Sequence, residues 1–158
     1  MLQYADRKRK RTSFSAYNIK LIQQDVLAGT LPVQSADHIV IAVGLKTFNE
    51  RQISLLAKEV QCMLKLGGQF SCIEVSVPEP VVPRTLYLFY LQYAIPVLGA
   101  LFLGNPETYR VLGTYTVQFK NCQRTEKLFA DEGLQCRLTS HLWGCASGIA
   151  GFNPPLAS

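Results

Sequence analysis

The sequence predicts an α/β fold, and three observations carry it. Asp37–Val43 (DHIVIAV) is a nearly continuous β-branched run, the mark of a strand buried on both faces. Asn49 with Gln52 is a helix-start signal related to a capping box, and apolar residues then recur at helical spacing. Gln69–Val77 (QFSCIEVSV) reads as a second strand, so strand, helix and strand alternate as they do in a sheet joined by crossover helices.

The elements follow in order. Met1–Arg11 reads as a helix, with Met1, Leu2 and Ala5 on one side and charges on the other. Asn18–Gln24 (NIKLIQQ) alternates apolar and polar residues and reads as a strand with Asp25 at its end; Gly29–Pro32 is a loop. Ile53, Leu56, Val60, Met63 and Leu64 line one helix face, and Gly67-Gly68 are expected to end that helix. Pro78 and Pro80 close the strand at Gln69–Val77. Asn105-Pro106-Glu107 supplies an N-cap, a first-turn proline and an acid favoured by the helix dipole, starting a helix to about Phe119. Another helix runs from Gln123 to Glu132 and stops at Gly133. Leu134–Trp143 and Ala146–Phe152 read as two strands joined by a glycine turn, hence antiparallel.

Between these elements, Thr85–Asn105 carries no charged residue and is just long enough to span a bilayer. It also carries Gln92, Pro96, Gly99 and several aromatic rings, and only Arg84 flanks it. It therefore reads as a buried or lid helix, with a transmembrane helix and contact to a membrane surface as the alternatives.

Composition bounds the rest. A chain of 158 residues, 48% hydrophobic, is the size of one domain and buries a real core, which excludes a disordered chain. The net charge of +5 is confined to residues 1–20; the remainder is neutral. Aromatic interleaving and a second basic stretch are missing, so no nucleic-acid partner is expected. A non-catalytic module using Arg7–Arg11 against nucleic acid or anionic lipid stays as an alternative. Five cysteines, an odd number with no C-x-x-C pair, argue against a zinc site or a disulfide framework. No metal is expected. The basic N-terminal run has no apolar region after it, unlike a secretory signal, and reduced thiols fit a cytoplasmic protein, peripheral to a membrane at most.

Ligands of open α/β sheets sit beyond the carboxyl ends of strands, which points to Asp25, Val43–Thr47 and Glu74–Val77. Those segments also carry a resemblance. Asp25…Leu31-Pro32, Ile39-Val-Ile-Ala-Val-Gly-Leu-Lys46, Leu64-Lys-Leu-Gly-Gly68 and Ile73-Glu-Val-Ser76 resemble the class I S-adenosylmethionine-dependent methyltransferases. With Tyr90, Pro96, Gly99 and Tyr109-Arg110-Val-Leu112, they resemble the UbiE-type branch, which methylates a ring carbon of ubiquinone and menaquinone precursors.

The resemblance implies a Rossmann-like sheet with an antiparallel C-terminal strand, and S-adenosylmethionine as cofactor. Asp25 matches the acid that accepts from the adenine amino group, and Val26 the residue whose backbone N–H faces the ring. Ala42, Val43 and Gly44 match the strand end beside the methionine part. Lys46 stands where the branch usually has arginine, and is the candidate for contacting a phenolate; its plain reading is a surface lysine. Tyr90, Tyr93, Tyr109 and Arg110 are candidates for lining an acceptor pocket, or for helix packing with one snorkelling arginine. His141 is a further substrate-side candidate. His38 reads as structural, and Cys145 as part of a small-residue turn. Another methyltransferase, acting on oxygen or another small acceptor, is the closest alternative.

The Gly-x-Gly loop after the first strand and the ribose-binding acid after the second have no match here. In a family whose sheet order is 3-2-1-4-5-7-6, the resemblance implies that strands 1 and 2 are absent and residues 1–158 form a single, N-terminally truncated domain. Asn18–Gln24 would then lack its neighbour, and Asp37–Val43 would be a bare edge. The expectation is that this chain alone has little or no activity; micromolar binding of S-adenosylmethionine by calorimetry would refute it.

Overall fold

The computed structural model describes residues 2–11, 17–29, 31–95, 97 and 106–155. A four-stranded sheet is built from β1 (Ala36–Ala42), β2 (Leu64–Val75), β3 (Gln135–His141) and β4 (Ala146–Phe152), in the order β1-β2-β4-β3. β1 and β2 run parallel, and β4 is antiparallel to both β2 and β3. The helices are α1 (Leu2–Arg11), α2 (Glu50–Met63), α3 (Val81–Phe89, continuing as a π-helix at Tyr90–Ala94), α4 (Pro106–Phe119) and α5 (Gln123–Asp131).

The crossover from β1 to β2 is α2, and its start is built as the sequence predicts. The Asn49 side chain accepts from the Gln52 N–H at 2.9 Å, and the Asn49 N–H donates to the Gln52 side chain at 2.9 Å. α2 buries Ile53, Leu56, Ala57 and Val60, and α5 buries Thr125 and Phe129. Both helices cover the same face of the sheet, where Phe70, Cys72 and Ile149 point inward. Phe70 and Phe129 stack with ring centroids 5.3 Å apart. The opposite face, with His38, Val40, Ser71, Arg137 and Ala150, borders a cleft of about 570 Å³.

Four expectations change. First, Asn18–Gln24 is not a strand: residues 17–25 run without regular structure and are mostly exposed. A strand needs a partner for its main-chain donors and acceptors, and none lies beside this segment among the described residues. Second, β1 is not buried on both faces. It is an edge strand paired only with β2 among the described residues; Ile39 and Ile41 turn inward, while Val40 is 76% exposed. Third, Gly67-Gly68 do not end the helix. α2 stops at Met63 and β2 begins at once. Gly67, at φ 77°, donates its N–H to the Asn153 carbonyl at 2.8 Å, and Asn153 donates back to Gly68. The Asn153 side chain donates to the carbonyls of Gln61 and Leu64, which satisfies the helix end in place of a glycine cap. Fourth, β2 ends at Val75 rather than Val77, and Ser76–Pro78 leave the sheet.

The predicted antiparallel pair at the C-terminus forms, joined through a 3-10 turn at Leu142–Gly144. Leu142, Trp143 and Gly144 all have positive φ (50°, 54° and 92°). In the uncharged segment, α3 starts at Val81, and its outer side exposes Val82, Leu86 and Phe89. Pro96 and residues 98–105, including Leu98, Gly99, Leu101 and Asn105, lie outside the described residues. Among the described residues, no helix is long and apolar enough to cross a membrane.

Candidate functional site

The carboxyl end of β1 is held by one buried acid. Ala42 ends the strand, and Val43 donates its N–H to the Ile73 carbonyl at 3.0 Å. Gly44 then donates its N–H to Glu74 Oε2 at 2.7 Å, and the Lys46 N–H reaches the same oxygen at 3.3 Å. Glu74 Oε1 accepts from Lys46 Nζ at 3.0 Å and from the Val75 N–H at 2.8 Å. The Glu74 side chain is fully buried and the Lys46 side chain 5% exposed. Burial pushes the Glu74 carboxyl up, but the Gly44 N–H, the Lys46 ammonium and the N–H groups of Val75 and Lys46 outweigh it. They hold the carboxyl below its ordinary value.

The loop is strained as well as held. Val43 has φ 54°, a region that β-branched residues rarely enter. Such a conformation costs about 1–3 kcal/mol and persists where its surroundings over-determine it. Here Ile73 fixes one side of the peptide and Glu74 the other. Thr47 closes the turn, its hydroxyl donating to the Gly44 carbonyl at 2.6 Å.

Asp25 and Val26 lie on the irregular segment that precedes β1. Asp25 is exposed, and its Oδ1 accepts from the Leu27 N–H at 3.0 Å, an Asx turn that sets Leu27 against the core. Val26, 38% exposed, lines a cavity of about 290 Å³ together with Ile39, Gly44, Phe48 and Leu56. The structure thus brings Val26 and Gly44, two residues far apart in sequence, to one apolar-walled cavity. Such walls suit a flat heteroaromatic ring, and its size is that of a small ligand subsite. Val26 and Gly44 thus line a cavity whose walls fit an adenine-like group, while Asp25, Ala42 and Val43 do not line it.

The acceptor-side candidates are more dispersed. Tyr90 and Tyr93 sit on the π-helical turns, where the ladder shifts by one residue; they are 48% and 60% exposed, and Tyr93 packs on Phe89 at 5.2 Å. α4 passes this turn at Gly113, where an added Cβ would come into ordinary contact with the Leu91 carbonyl. His141 is exposed at the carboxyl end of β3, on the same side of the sheet as the β1 loop. None of these three lines the Val26–Gly44 cavity. The side chains of Tyr109 and Arg110 lie outside the described residues. Lys46 is turned onto Glu74 instead of standing free in a loop. Among the described residues, no cluster of histidine, cysteine or acidic side chains is placed to hold a metal.

Sequence reasoning marked Glu74–Val77 as a strand end but gave Glu74 no role. The signal was present: strand alternation puts Glu74 on the inward face with Phe70 and Cys72, and a buried carboxylate requires partners.

The ubiE/COQ5 methyltransferase family matches this chain over residues 1–151. The chain belongs to that family. A demethylmenaquinone methyltransferase from Staphylococcus aureus (strain JH9) is 28% identical over 144 residues, covering 90% of this chain and 59% of that protein. The chain thus spans less than two thirds of that relative's length. Among solved structures, the S-adenosylmethionine-dependent methyltransferase SibL in its apo form superposes with a TM-score of 0.64 at 15% identity, over 98% of this chain and 41% of that one. PigF with S-adenosylhomocysteine superposes with a TM-score of 0.58 at 17% identity, over 95% of this chain and 40% of that one. The fold is that of class I methyltransferases, whose cofactor is S-adenosylmethionine. The order β1-β2-β4-β3, with β4 antiparallel, agrees with the Rossmann-like sheet and antiparallel C-terminal strand that the resemblance implies.

Proposed function

We propose that the protein serves S-adenosylmethionine-dependent methylation of an aromatic, lipophilic acceptor, a ring carbon of a quinone precursor. The observation that carries this reading is the match to the ubiE/COQ5 methyltransferase family over nearly the whole chain. The meeting of Val26 and Gly44 at one cavity beyond β1 supports it.

Bound there, S-adenosylmethionine supplies an electrophilic methyl group to a ring carbon made nucleophilic by ionisation of a neighbouring hydroxyl. The Asp25 carboxylate accepts from the adenine amino group, and the Val26 N–H donates to a ring nitrogen. Phe48 and Leu56 keep water from that ring, and the Val43–Gly44 turn bounds the methionine end. In this reading Tyr90, Tyr93, Tyr109, Arg110 and His141 would border the acceptor, with general-base help in removing the hydroxyl proton. Lys46 supplies positive charge near the site while its ammonium stays bound to Glu74. The chain's main contribution is alignment of the two reactants. The outer side of α3, with Val82, Leu86 and Phe89, touches a membrane surface from which a lipophilic acceptor is drawn.

The deciding experiment is chemical. Quinones extracted from a strain lacking the gene should accumulate the demethyl form, and restoring the gene should return the methyl group. An unchanged quinone profile rejects the acceptor. Loss of a methyl from another small molecule would move the assignment to a different methyltransferase reaction.

A further inference from the structure

Glu74 has no part in the reaction outlined above, yet it is among the most deeply buried polar groups of the chain, at 1% exposure. All four of its described donors are N–H groups, and three of them come from two residues of a single loop, Gly44 and Lys46. An isolated buried carboxylate is costly, and structural need alone would be met by an apolar side chain at this position. What the carboxylate adds is shape. Oε2 bridges the main-chain N–H groups of residues 44 and 46, so it reads the backbone of the turn and not a side chain. Lys46 balances the charge from the same turn. Val43, one residue before, is kept at positive φ between the Ile73 carbonyl and this carboxylate.

We propose that Glu74 is the positioning residue of the cofactor-facing turn, with Lys46 as its counter-ion. The proposal rests on the cofactor reading given above. Without the carboxylate, Val43 relaxes towards the extended region, and the Gly44 peptide rotates away from the cavity that it lines with Val26. Lys46 thereby acts through Glu74 on the cofactor side, not by direct contact with the acceptor.

The test uses the 158-residue chain labelled with ¹⁵N, titrated with S-adenosylmethionine and followed at the Gly44 and Lys46 amides. Wild type should bind more weakly than micromolar, Glu74→Gln and Lys46→Met at least tenfold more weakly still, and Lys46→Arg, which keeps the charge, within about threefold of wild type. Amides of the central sheet, such as Cys72 and Ile149, should keep their exchange protection in all four proteins. Glu74→Gln binding as tightly as wild type overturns the proposal. If wild type gives no response to S-adenosylmethionine, the cofactor reading fails for this chain, and the positioning role is decided by exchange alone. A tenfold loss of protection at Gly44 and Lys46 in Glu74→Gln then supports it, and unchanged protection overturns it. If Glu74→Gln does not fold, Lys46→Met carries the same comparison.

Discussion

Glu74 and Lys46 make a stability claim as well as a positional one. Removing one partner of a buried ion pair leaves an uncompensated charge and costs about 3–5 kcal/mol. Lys46→Met should therefore lower the unfolding free energy by that order, measured by denaturant titration. The pH dependence has a defined sign. The Glu74 carboxyl is held below its ordinary value in the fold, while in the unfolded chain it titrates near about 4.3. Its contribution is complete above that value and is lost as pH falls through the lower folded value. The midpoint temperature of wild type should drop on acidification below about pH 4.5, and Glu74→Gln should lack that component. Parallel curves for the two proteins would show that another group titrates. At this scale the sequence was legible where a residue's role depends on its neighbours in the chain, as with the Asn49–Gln52 cap. It was silent on Glu74, whose partners in the β1 loop lie 28 and 30 positions away.

Among the elements, helices were read well and the first strand poorly. α2, α4 and α5 announce themselves by caps and spacing, because a helix satisfies its own main chain. Asn18–Gln24 has the alternation of a strand, but a strand exists only with a partner, and periodicity does not say whether one is present. β1 divides the same way: its β-branched run reports preference for a strand and not the exposure of Val40, whereas its place at a sheet edge was expected from the family resemblance. The Gly67-Gly68 pair misled because glycines after a helix can equally mark a strand irregularity, and here the partner Asn153 decided it. β4 makes a sharp demand at Gly148, where an added Cβ would meet the Cys72 carbonyl. Gly148→Ala should force β4 off β2 and cost about 2 kcal/mol or more, of the order of overpacked cores, read by thermal melting. α3 makes the opposite prediction. Val82 and Phe89 are 81% and 59% exposed, so Val82→Glu with Phe89→Glu should leave stability within about 1 kcal/mol. The same pair should weaken sedimentation with phosphatidylglycerol vesicles; sedimentation equal to wild type would remove the membrane contact.

For the whole molecule, the governing fact among the described residues is a sheet covered on one face by α2 and α5, with β1 at an edge paired only to β2. Main-chain groups along such an edge are a template for another strand. Solutions of the chain should show concentration-dependent association by analytical ultracentrifugation. Val40→Lys, on the exposed side of β1, should suppress it by placing a charge where a flat apolar strand now stands. A monodisperse wild type at high concentration would contradict this. The sheet order belonged to the readable part of the molecule, because the family motifs fall in register on β1 and β2. The placement of the acceptor-side candidates did not, because no local pattern encodes how the end of α3 and the β3–β4 turn lie in the fold.

The turn at Leu142–Gly144 gives the protein an optical reporter of its own. Trp143 is the sole tryptophan of the sequence and is 89% exposed. Gly144 holds the turn against Pro78, and the Ser76 hydroxyl donates to the Gly144 carbonyl at 2.8 Å, just ahead of α3. Emission from an indole in water is red-shifted and open to acrylamide. Whatever covers this end of the sheet, whether acceptor, lipid or a second copy of the chain, would therefore register as a blue shift and reduced quenching in the native protein, without a label.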